Sequence, residues 1–223
     1  MSEALERVRG VRELPLFPLP LVLFPGVPQA LHIFEPRYRR MLADVRAGNN
    51  LFGLSYFDSD AAETHDDDAA RPPIGHVGCA TEVVEAQTMP DGRSNIITFG
   101  LARYRVESYV ESDAPYLIGR VEFFEDEEED AEELTQSARE VSALFTRIAR
   151  AVREINGERG RLPELPEDEP ESLSFLVAAA MEIGAEARQS MLELRSTSER
   201  LRLLYNLLTQ SIESYENRAR IHE

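Results

Sequence analysis

Cys79 is the side chain of this sequence best suited to covalent catalysis, and its surroundings argue against that role. A nucleophilic thiol needs a nearby histidine and an anion-binding pocket. His76 is three positions away, and side chains at that offset point to opposite faces of a strand. We therefore expect Cys79 to be buried and unreactive. The sequence has no GxSxG elbow and no carboxylate pair set apart from its other acids, so it predicts no catalytic residue.

A cluster of hard ligands surrounds His65, which precedes three consecutive aspartates, Asp66–Asp68. Clustered carboxylates attract Ca²⁺ or Mg²⁺. The same segment, from Asp58 to Asp60, lacks the loop glycine and the terminal glutamate of an EF-hand. The other three histidines, His32, His76 and His222, are isolated from one another. We therefore predict no metal site and no cofactor.

The sequence contains no lysine, so all 24 of its basic residues are arginine. A P-loop ATPase needs a lysine that reaches the nucleotide phosphates. A serine–lysine dyad and a lysine Schiff base are excluded for the same reason. Together with the absence of a catalytic motif, this composition predicts that the chain is not an enzyme.

The net charge of −17 is concentrated in two acidic runs. Asp58–Asp68 carries six acids and Glu125–Glu133 carries eight, and without these fourteen the charge would be −3. Like charges at this density repel one another and resist packing, which predicts a solvated loop and a solvated linker. The alternative is a segment that repels nucleic acid or meets a basic partner.

Hydropathy and cysteine content predict the cellular compartment. No segment approaches the roughly 20 apolar residues of a membrane helix. The charged start, MSEALERVRG, is unlike a signal peptide. A single cysteine cannot form an internal disulfide. We expect a cytoplasmic protein that does not bind membranes.

The elements that would position a binding site begin at Leu14–Leu42, which combines six prolines with many Leu, Val and Phe residues. Pro18 and Pro20 are two positions apart, so in a strand their main-chain nitrogens would point to the same side. Because neither has an N–H, that side could not pair fully, which predicts an edge strand. Gln29–Phe34 is predicted as a second short strand.

A helix is predicted to begin at Pro36, where the missing N–H has no cost. Its apolar stripe consists of Tyr38, Met41, Leu42 and Val45, and Gly48 is a suitable end. We expect Glu35 to cap this helix. Arg37 is expected to pair with Glu35 or with a strand carbonyl.

The rest of the first half is predicted as short strands, joined in one place by a type I′ turn at Asp91-Gly92. Six or so strands with one helix and no regular βαβ alternation favour a mixed barrel. The strands are predicted at Asn50–Phe57, Ile74–Gln87, Ser94–Phe99, Leu101–Val110 and Leu117–Phe124.

The second half is predicted to form a four-helix bundle. Ser196 and Glu199 form a capping box at the start of its last helix. The predicted fold class is therefore α+β, with a β-rich domain over residues 1–125, an acidic linker over 126–133 and a helical bundle over 134–223. The first three helices are predicted at Leu134–Ile155, Glu171–Ile183 and Ala185–Leu194.

The motif FPLPLVLFPG followed by LHIFEPRYRRML resembles the start of the Lon protease N-terminal domain, and in particular the free-standing bacterial proteins built around it. The resemblance extends from about Leu14 to Leu208. Further matching segments are IGHVGCA, FGLARYRV, PYLIGRVEF, SFLVAA and RQSMLELRSTSERLRL.

The resemblance implies a PUA-like β pseudo-barrel followed by helices, which recognises substrate and lacks the Lon ATPase and peptidase. The expected function is a non-catalytic module that binds unfolded or hydrophobic polypeptides, or an adaptor for a protease or chaperone. A single module would bind weakly, so a weak homo-oligomer is a further expectation. We expect an apolar peptide groove with Arg37 holding the peptide backbone or a carboxylate. The candidate peptide-binding residues are Phe17, Phe24, His32, Phe34, Glu35, Arg37 and Tyr38.

Two alternatives remain from the sequence. The first is small-molecule binding or an unrecognised enzyme in a cleft between the domains. The second is RNA binding, because PUA-like barrels include RNA binders and the predicted helix carries a basic face. Interleaved acids argue against nucleic acid, since phosphate binding requires a basic patch. The arginines of that face are Arg37, Arg39, Arg40 and Arg46.

Overall fold

The structure is a computed structural model, and it describes residues 3–57, 71–157 and 165–222. The chain divides into two compact units. The first, the β-rich unit, comprises residues 1–125 and 182–193, and the second, the helical unit, comprises residues 126–181 and 194–223. None of the helices in the described ranges has the length and apolar character needed to cross a membrane. The acidic run Asp58–Asp68 and the His65 cluster lie outside the described residues.

The β-rich unit is built on a six-stranded sheet that closes on itself. The strand order is β2-β5-β4-β3-β1-β6, and β5 also pairs with β6. All neighbouring pairs are antiparallel except β1 with β3. The sheet therefore confirms the α+β class. The strands are β1 (Glu13–Leu19), β2 (Pro28–Ile33), β3 (Leu51–Tyr56), β4 (Val77–Thr88), β5 (Ser94–Tyr109) and β6 (Leu117–Phe124).

Strand β1 is an interior strand, which contradicts the expected edge strand. It pairs with β6 as far as Leu16 and with β3 from Leu16 onward. Leu19 O accepts a hydrogen bond from Phe57 N on the β3 side. Since successive residues of a strand direct their main-chain groups to alternate sides, Pro18 faces the β6 side, beyond the last residue that pairs there. Its missing N–H is tolerated because no hydrogen bond is needed at that position.

Strand β5 joins two segments that the sequence predicts as separate strands. It runs unbroken from Ser94 to Tyr109, because Gly100 continues the strand between them. The β4–β5 hairpin also differs from the expected type I′ turn. Met89 N donates to Arg93 O at 2.8 Å, and only Gly92 of the intervening residues has positive φ, at 83°. The connection is therefore a three-residue loop with glycine in the left-handed position.

Helix α1 (Glu3–Arg7) and helix α2 (Pro36–Ala47) belong to the β-rich unit. The predicted stripe of α2 is buried along its whole length, from Tyr38 to Val45. It packs into a cluster with Ile33 and Ile96 of β2 and β5. Gly48 N donates back to the last turn, so the helix ends where the sequence predicts.

Helix α5 (Ala185–Glu193) packs in the β-rich unit, although the sequence places this segment in the helical bundle. Gln189 Nε2 donates to Val77 O at 2.9 Å, and Arg103 Nη1 donates to Leu192 O at 3.1 Å. The Arg103 guanidinium also lies 4.6 Å from the ring centre of Phe124. Arg103 is fully buried, whereas alternation along β5 predicts an exposed residue. A short helix with few apolar residues gives no sequence signal for such contacts.

The helical unit contains three helices among its described residues, rather than the predicted four. They are α3 (Ala131–Ile155), α4 (Pro170–Ala180) and α6 (Thr197–His222). Helix α4 is buried on most sides, as its apolar sequence predicts. Glu199 N donates to Ser196 Oγ at 3.1 Å, which confirms the capping position at the start of α6.

The acidic run Glu125–Glu133 is only partly solvated, because three of its acids hold the helical unit together. Asp130 caps α3 by accepting hydrogen bonds from Glu132 N and Glu133 N. Glu129 accepts from Ser198 N at the first turn of α6. The side chain of Asp126 is 5% exposed and pairs with Arg200, whose side chain is 0% exposed. The expectation of a solvated linker is therefore wrong for Asp126, whereas Asp130 remains exposed although it caps α3.

Candidate functional site

Exposed apolar side chains lie on one surface of β2, β5 and the second half of β4, which we call the outer face, and Glu82 and Glu85 of β4 lie opposite Phe99 and Ile97 there. Ala30 of β2 pairs with Ile97 of β5, and Pro28 pairs with Phe99. Ile97 is 41% exposed and Phe99 is 39% exposed. Val84 is 59% exposed and lies at an irregularity in the β4–β5 pairing. Large apolar side chains that remain accessible together form a surface suited to binding.

Phe34 extends the outer face beyond the end of β2. It is 58% exposed, and its ring stacks on His32 with the ring centres 6.0 Å apart. His32 Nδ1 lies 2.7 Å from Oδ1 of Asn95, its register partner on β5. This hydrogen bond fixes the imidazole, and the imidazole supports the phenyl ring.

The free edge of β2 lies beside the outer face. Gly100 N donates to Val27 O at 3.0 Å where the pairing with β5 begins. Because residues of an antiparallel pair alternate between bonded and non-bonded positions, Ala30 and His32 direct their main-chain groups to the other edge. Within residues 3–57, 71–157 and 165–222, no strand pairs with that edge. Ala30 O accepts a hydrogen bond from the adjacent Gln29 side chain, at 2.9 Å.

Three of the residues predicted to bind peptide are core residues. Phe17, Phe24 and Tyr38 are all buried. The ring centres of Phe17 and Tyr38 are 4.0 Å apart, which joins β1 to α2. Burial also raises the pKa of the Tyr38 hydroxyl. The structure therefore separates them from the surface that Phe34 and His32 share.

Glu35 and Arg37 form an ion pair at the surface next to Phe34. Arg37 Nη2 lies 2.9 Å from Glu35 Oε2, which confirms one of the two expected partners of Arg37. The Arg37 guanidinium also lies 4.8 Å from the ring centre of Tyr38. Glu35 occupies the N-cap position of α2, but its side chain accepts no hydrogen bond from the helix. The expectation that it caps α2 is therefore wrong, because Arg37 draws the carboxylate away.

Sequence reasoning missed Val84, Ile97 and Phe99. A signal for Ile97 exists in Ser94–Phe99, where Ile96 and Ile97 are adjacent apolar residues. Adjacent positions point to opposite faces of a strand, so one of the two must lie outside the core if only one face is covered. Ile96 is buried under α2 and Ile97 is exposed.

Cys79 is fully buried, as the sequence predicts, and burial raises the pKa of its thiol to about 12. Burial also lowers the pKa of His76. In the part of the chain that the structure describes, no three His, Cys, Asp or Glu side chains are close enough to hold a metal ion. The His65 cluster lies outside that part.

The fold is an α+β type in which a closed β unit carries an apolar face and is joined to a helical unit. Two of the solved structures that share it are Lon N-terminal domains. The chain aligns with the Lon N-terminal domain protein from Xanthomonas campestris with a TM-score of 0.62 and 22% identity, covering 88% of this chain and 98% of that one. The N-terminal domain of Lon protease from the Mycobacterium avium complex gives a TM-score of 0.65 and 17% identity, covering 89% and 98%.

Residues 13–210 match the family described as the ATP-dependent protease La (LON) substrate-binding domain, and the chain belongs to this family. Among its relatives, Lon protease of Dictyoglomus thermophilum is 27% identical over 213 residues, which cover 91% of this chain and 25% of the relative. Lon protease 2 of Myxococcus xanthus is 29% identical over 208 residues, covering 90% and 24%. The chain thus spans about a quarter of the length of these relatives. The matches confirm the resemblance seen in the proline-rich segment.

Proposed function

We propose that the chain recognises extended, apolar polypeptide segments through the outer face and the free edge of β2, and that it catalyses no reaction itself. The observation that carries this proposal is that an unused strand edge lies next to exposed apolar side chains. Phe34, Ile97 and Phe99 stay accessible beside a strand whose outward main-chain groups have no strand partner among the described residues. The family description as a substrate-binding domain points to the same role.

The proposed mode of binding is strand addition. An extended segment forms main-chain hydrogen bonds with Ala30 and His32, which makes recognition largely independent of sequence. Alternate side chains of the segment then lie over the outer face, against Phe34 and Ile97. Pro28 lacks an N–H at the start of the edge, which limits the added strand to the part of β2 that follows.

Arg37 has a supporting role in this proposal. Its guanidinium is already paired with Glu35 and lies over Tyr38, so it is held in place beside Phe34. In this position it can meet a main-chain carbonyl or a carboxylate of the bound segment.

A single strand edge with a small apolar face binds weakly, so this proposal includes a second source of affinity. Several copies of the chain, or a protease or chaperone to which it delivers its client, would supply additional contacts. The role is then that of a recognition module or an adaptor. The cytoplasmic location predicted from the sequence belongs to the same proposal.

The test compares Ala30→Pro with Ala30→Val in the full chain. Ala30→Pro removes one outward N–H and leaves every β2–β5 hydrogen bond intact, whereas Ala30→Val keeps the N–H. Binding of a labelled, extended apolar peptide is measured by fluorescence anisotropy. We expect Ala30→Pro to weaken binding by about tenfold, since it removes a hydrogen bond and places a ring in the path of the strand. Ala30→Val should bind like the unmodified protein.

Phe34→Ser tests the apolar contact separately. Because Phe34 is largely exposed, its loss should leave the thermal midpoint nearly unchanged. Loss of the apolar area that the peptide would cover should weaken binding by about fivefold. Equal binding by the unmodified chain, Ala30→Pro and Phe34→Ser would refute the proposed surface. Absence of binding to any denatured or apolar polypeptide by the unmodified chain would refute the function.

A further inference from the structure

A basic groove lies between α2 and the tip of the β4–β5 hairpin. Arg39, Arg40 and Arg46 line one wall, and the other wall is formed by the hairpin. Arg39 and Arg46 are seven positions apart, which places them two helical turns from each other on the same side of α2. The remaining lining residues are Pro36, Leu42, Ala43, Thr88, Gly92 and Ser94.

Two of the three arginines in the groove have charge available for a ligand. Arg40 is paired with Asp44 at 2.8 Å, and its hydrogen bond holds the pKa of that carboxyl below the ordinary value. Neither Arg39 nor Arg46 forms an ion pair within the described ranges, although Arg39 is close enough to Asp91 at the hairpin tip to help lower the pKa of that carboxyl. The guanidinium of Arg39 lies against Gly92, where a Cβ would collide with it.

The groove begins where β2 ends. Ser94, which lines the groove, is the register partner of Ile33, the last residue of β2. Pro36, which lines the opposite wall, is three residues further along the chain, and three residues span at most about 10 Å. If an extended segment pairs with the free edge of β2, the groove is therefore within reach of the few residues that flank that segment.

We propose that this groove binds the carboxylate of an acidic residue that flanks the apolar segment, with Arg39 and Arg46 as its partners. The inference rests on the function proposed above and adds a specificity to it. Guanidinium groups suit carboxylates because they offer paired, planar donors. A long polyanion such as RNA fits less well, since Arg39 and Arg46 form only a small basic patch on a chain of net charge −17.

The experiment measures binding of three peptides to the full chain by fluorescence anisotropy. All three share one extended apolar segment, and they carry neutral flanks, an acidic N-terminal flank or an acidic C-terminal flank. We expect one acidic flank to tighten binding by up to about fivefold, the scale of an exposed ion pair. Whether the N-terminal or the C-terminal acidic flank tightens binding shows in which direction the bound strand runs along β2. The gain should be present at about 50 mM salt and largely lost at about 500 mM.

Arg39→Gln and Arg46→Gln should each remove the gain from the acidic flank and leave the neutral peptide unaffected. Arg12→Gln is the control, because it removes one exposed charge from the same unit outside the groove. An equal loss in Arg12→Gln would overturn the inference, since it would reflect net charge alone. Salt-dependent retention of single-stranded RNA that Arg39→Gln abolishes would also overturn it in favour of phosphate.

The peptide series separates failure of this inference from failure of the proposed function. If the neutral peptide binds and neither acidic flank tightens binding, the groove has no carboxylate partner and the apolar recognition remains. If none of the three peptides binds, both proposals are wrong.

Discussion

The Asp126–Arg200 ion pair holds the start of the helical unit to α4 and α6, and its removal is the most informative test of the fold. Arg200 Nη2 donates a hydrogen bond to Asp126 Oδ2. Arg200 Nε donates to Ser174 Oγ at 2.7 Å. Thr197 Oγ1 donates to the same carboxylate oxygen. The guanidinium lies 4.0 Å from the ring centre of Phe175. Asp126→Asn removes the negative charge and changes the shape of the side chain very little.

The expected loss of stability follows from the burial of Arg200. Removing one partner of a buried ion pair costs about 3–5 kcal/mol, because the other charge stays buried without compensation. Arg200 keeps its hydrogen bonds to Ser174 and to Leu194 O, so we expect a loss of about 3 kcal/mol in the free energy of unfolding. In a unit of fewer than about 100 residues, this lowers the thermal midpoint by about 12–24 °C. The urea midpoint should fall by about 1–3 M.

The assay is urea unfolding followed by circular dichroism at the helix band. Glu127→Gln is the matched control, since it removes the same charge at the next position, where the side chain is 67% exposed. It should change the free energy of unfolding by less than about 1 kcal/mol. The reasoning is refuted if Asp126→Asn loses no more stability than Glu127→Gln. Adding Arg200→Met to Asp126→Asn should recover part of the loss, because no charge then remains buried.

The remaining predictions concern the β-rich unit. Gly53→Ala should destabilise the protein by about 1–3 kcal/mol, because its Cβ would lie 2.6 Å from the hydroxyl of buried Tyr104, whereas Gly184→Ala has open space and should change the thermal midpoint little. Cys79 should resist thiol reagents at pH 8 in the native protein and react fully in denaturant, since burial raises its pKa to about 12; equal rates in both states would contradict its burial. His76 has a pKa lowered by burial, so the unfolded chain binds its proton more readily and stability falls as pH drops below about 6.5; His76→Gln should weaken this acid sensitivity in thermal unfolding at pH 5 and pH 7.5.

Local patterns in the sequence predict the elements that depend on neighbouring residues. The helical spacing from Tyr38 to Val45, with Pro36 before it and Gly48 after it, predicts α2 with its buried face and both ends. Strand β6 is predicted at the same residues that the structure assigns. Ser196 predicts the start of α6. In each case the responsible forces act within a few residues along the chain.

Elements whose partners are distant in sequence are predicted less well. Whether β1 lies at an edge depends on β3 and β6, which local sequence does not identify. Helix α5 belongs to the β-rich unit because of hydrogen bonds from Gln189 and Arg103, residues whose polarity predicts exposure. In the sequence nothing distinguishes Asp126 from the other seven acids of its run, because its partner Arg200 is 74 positions away.

The candidate site illustrates the same division. The sequence alone determines that the chain has a LON-type β-rich part, no lysine chemistry and a set of aromatic residues around Phe34. Only the tertiary structure decides that Phe17 and Tyr38 pack in the core while Ile97 remains outside. The physical reason is that alternation along a strand separates its two faces, but which face is covered depends on where α2 packs. Register with β5 likewise leaves one edge of β2 unpaired, and that edge is a property of the assembled sheet.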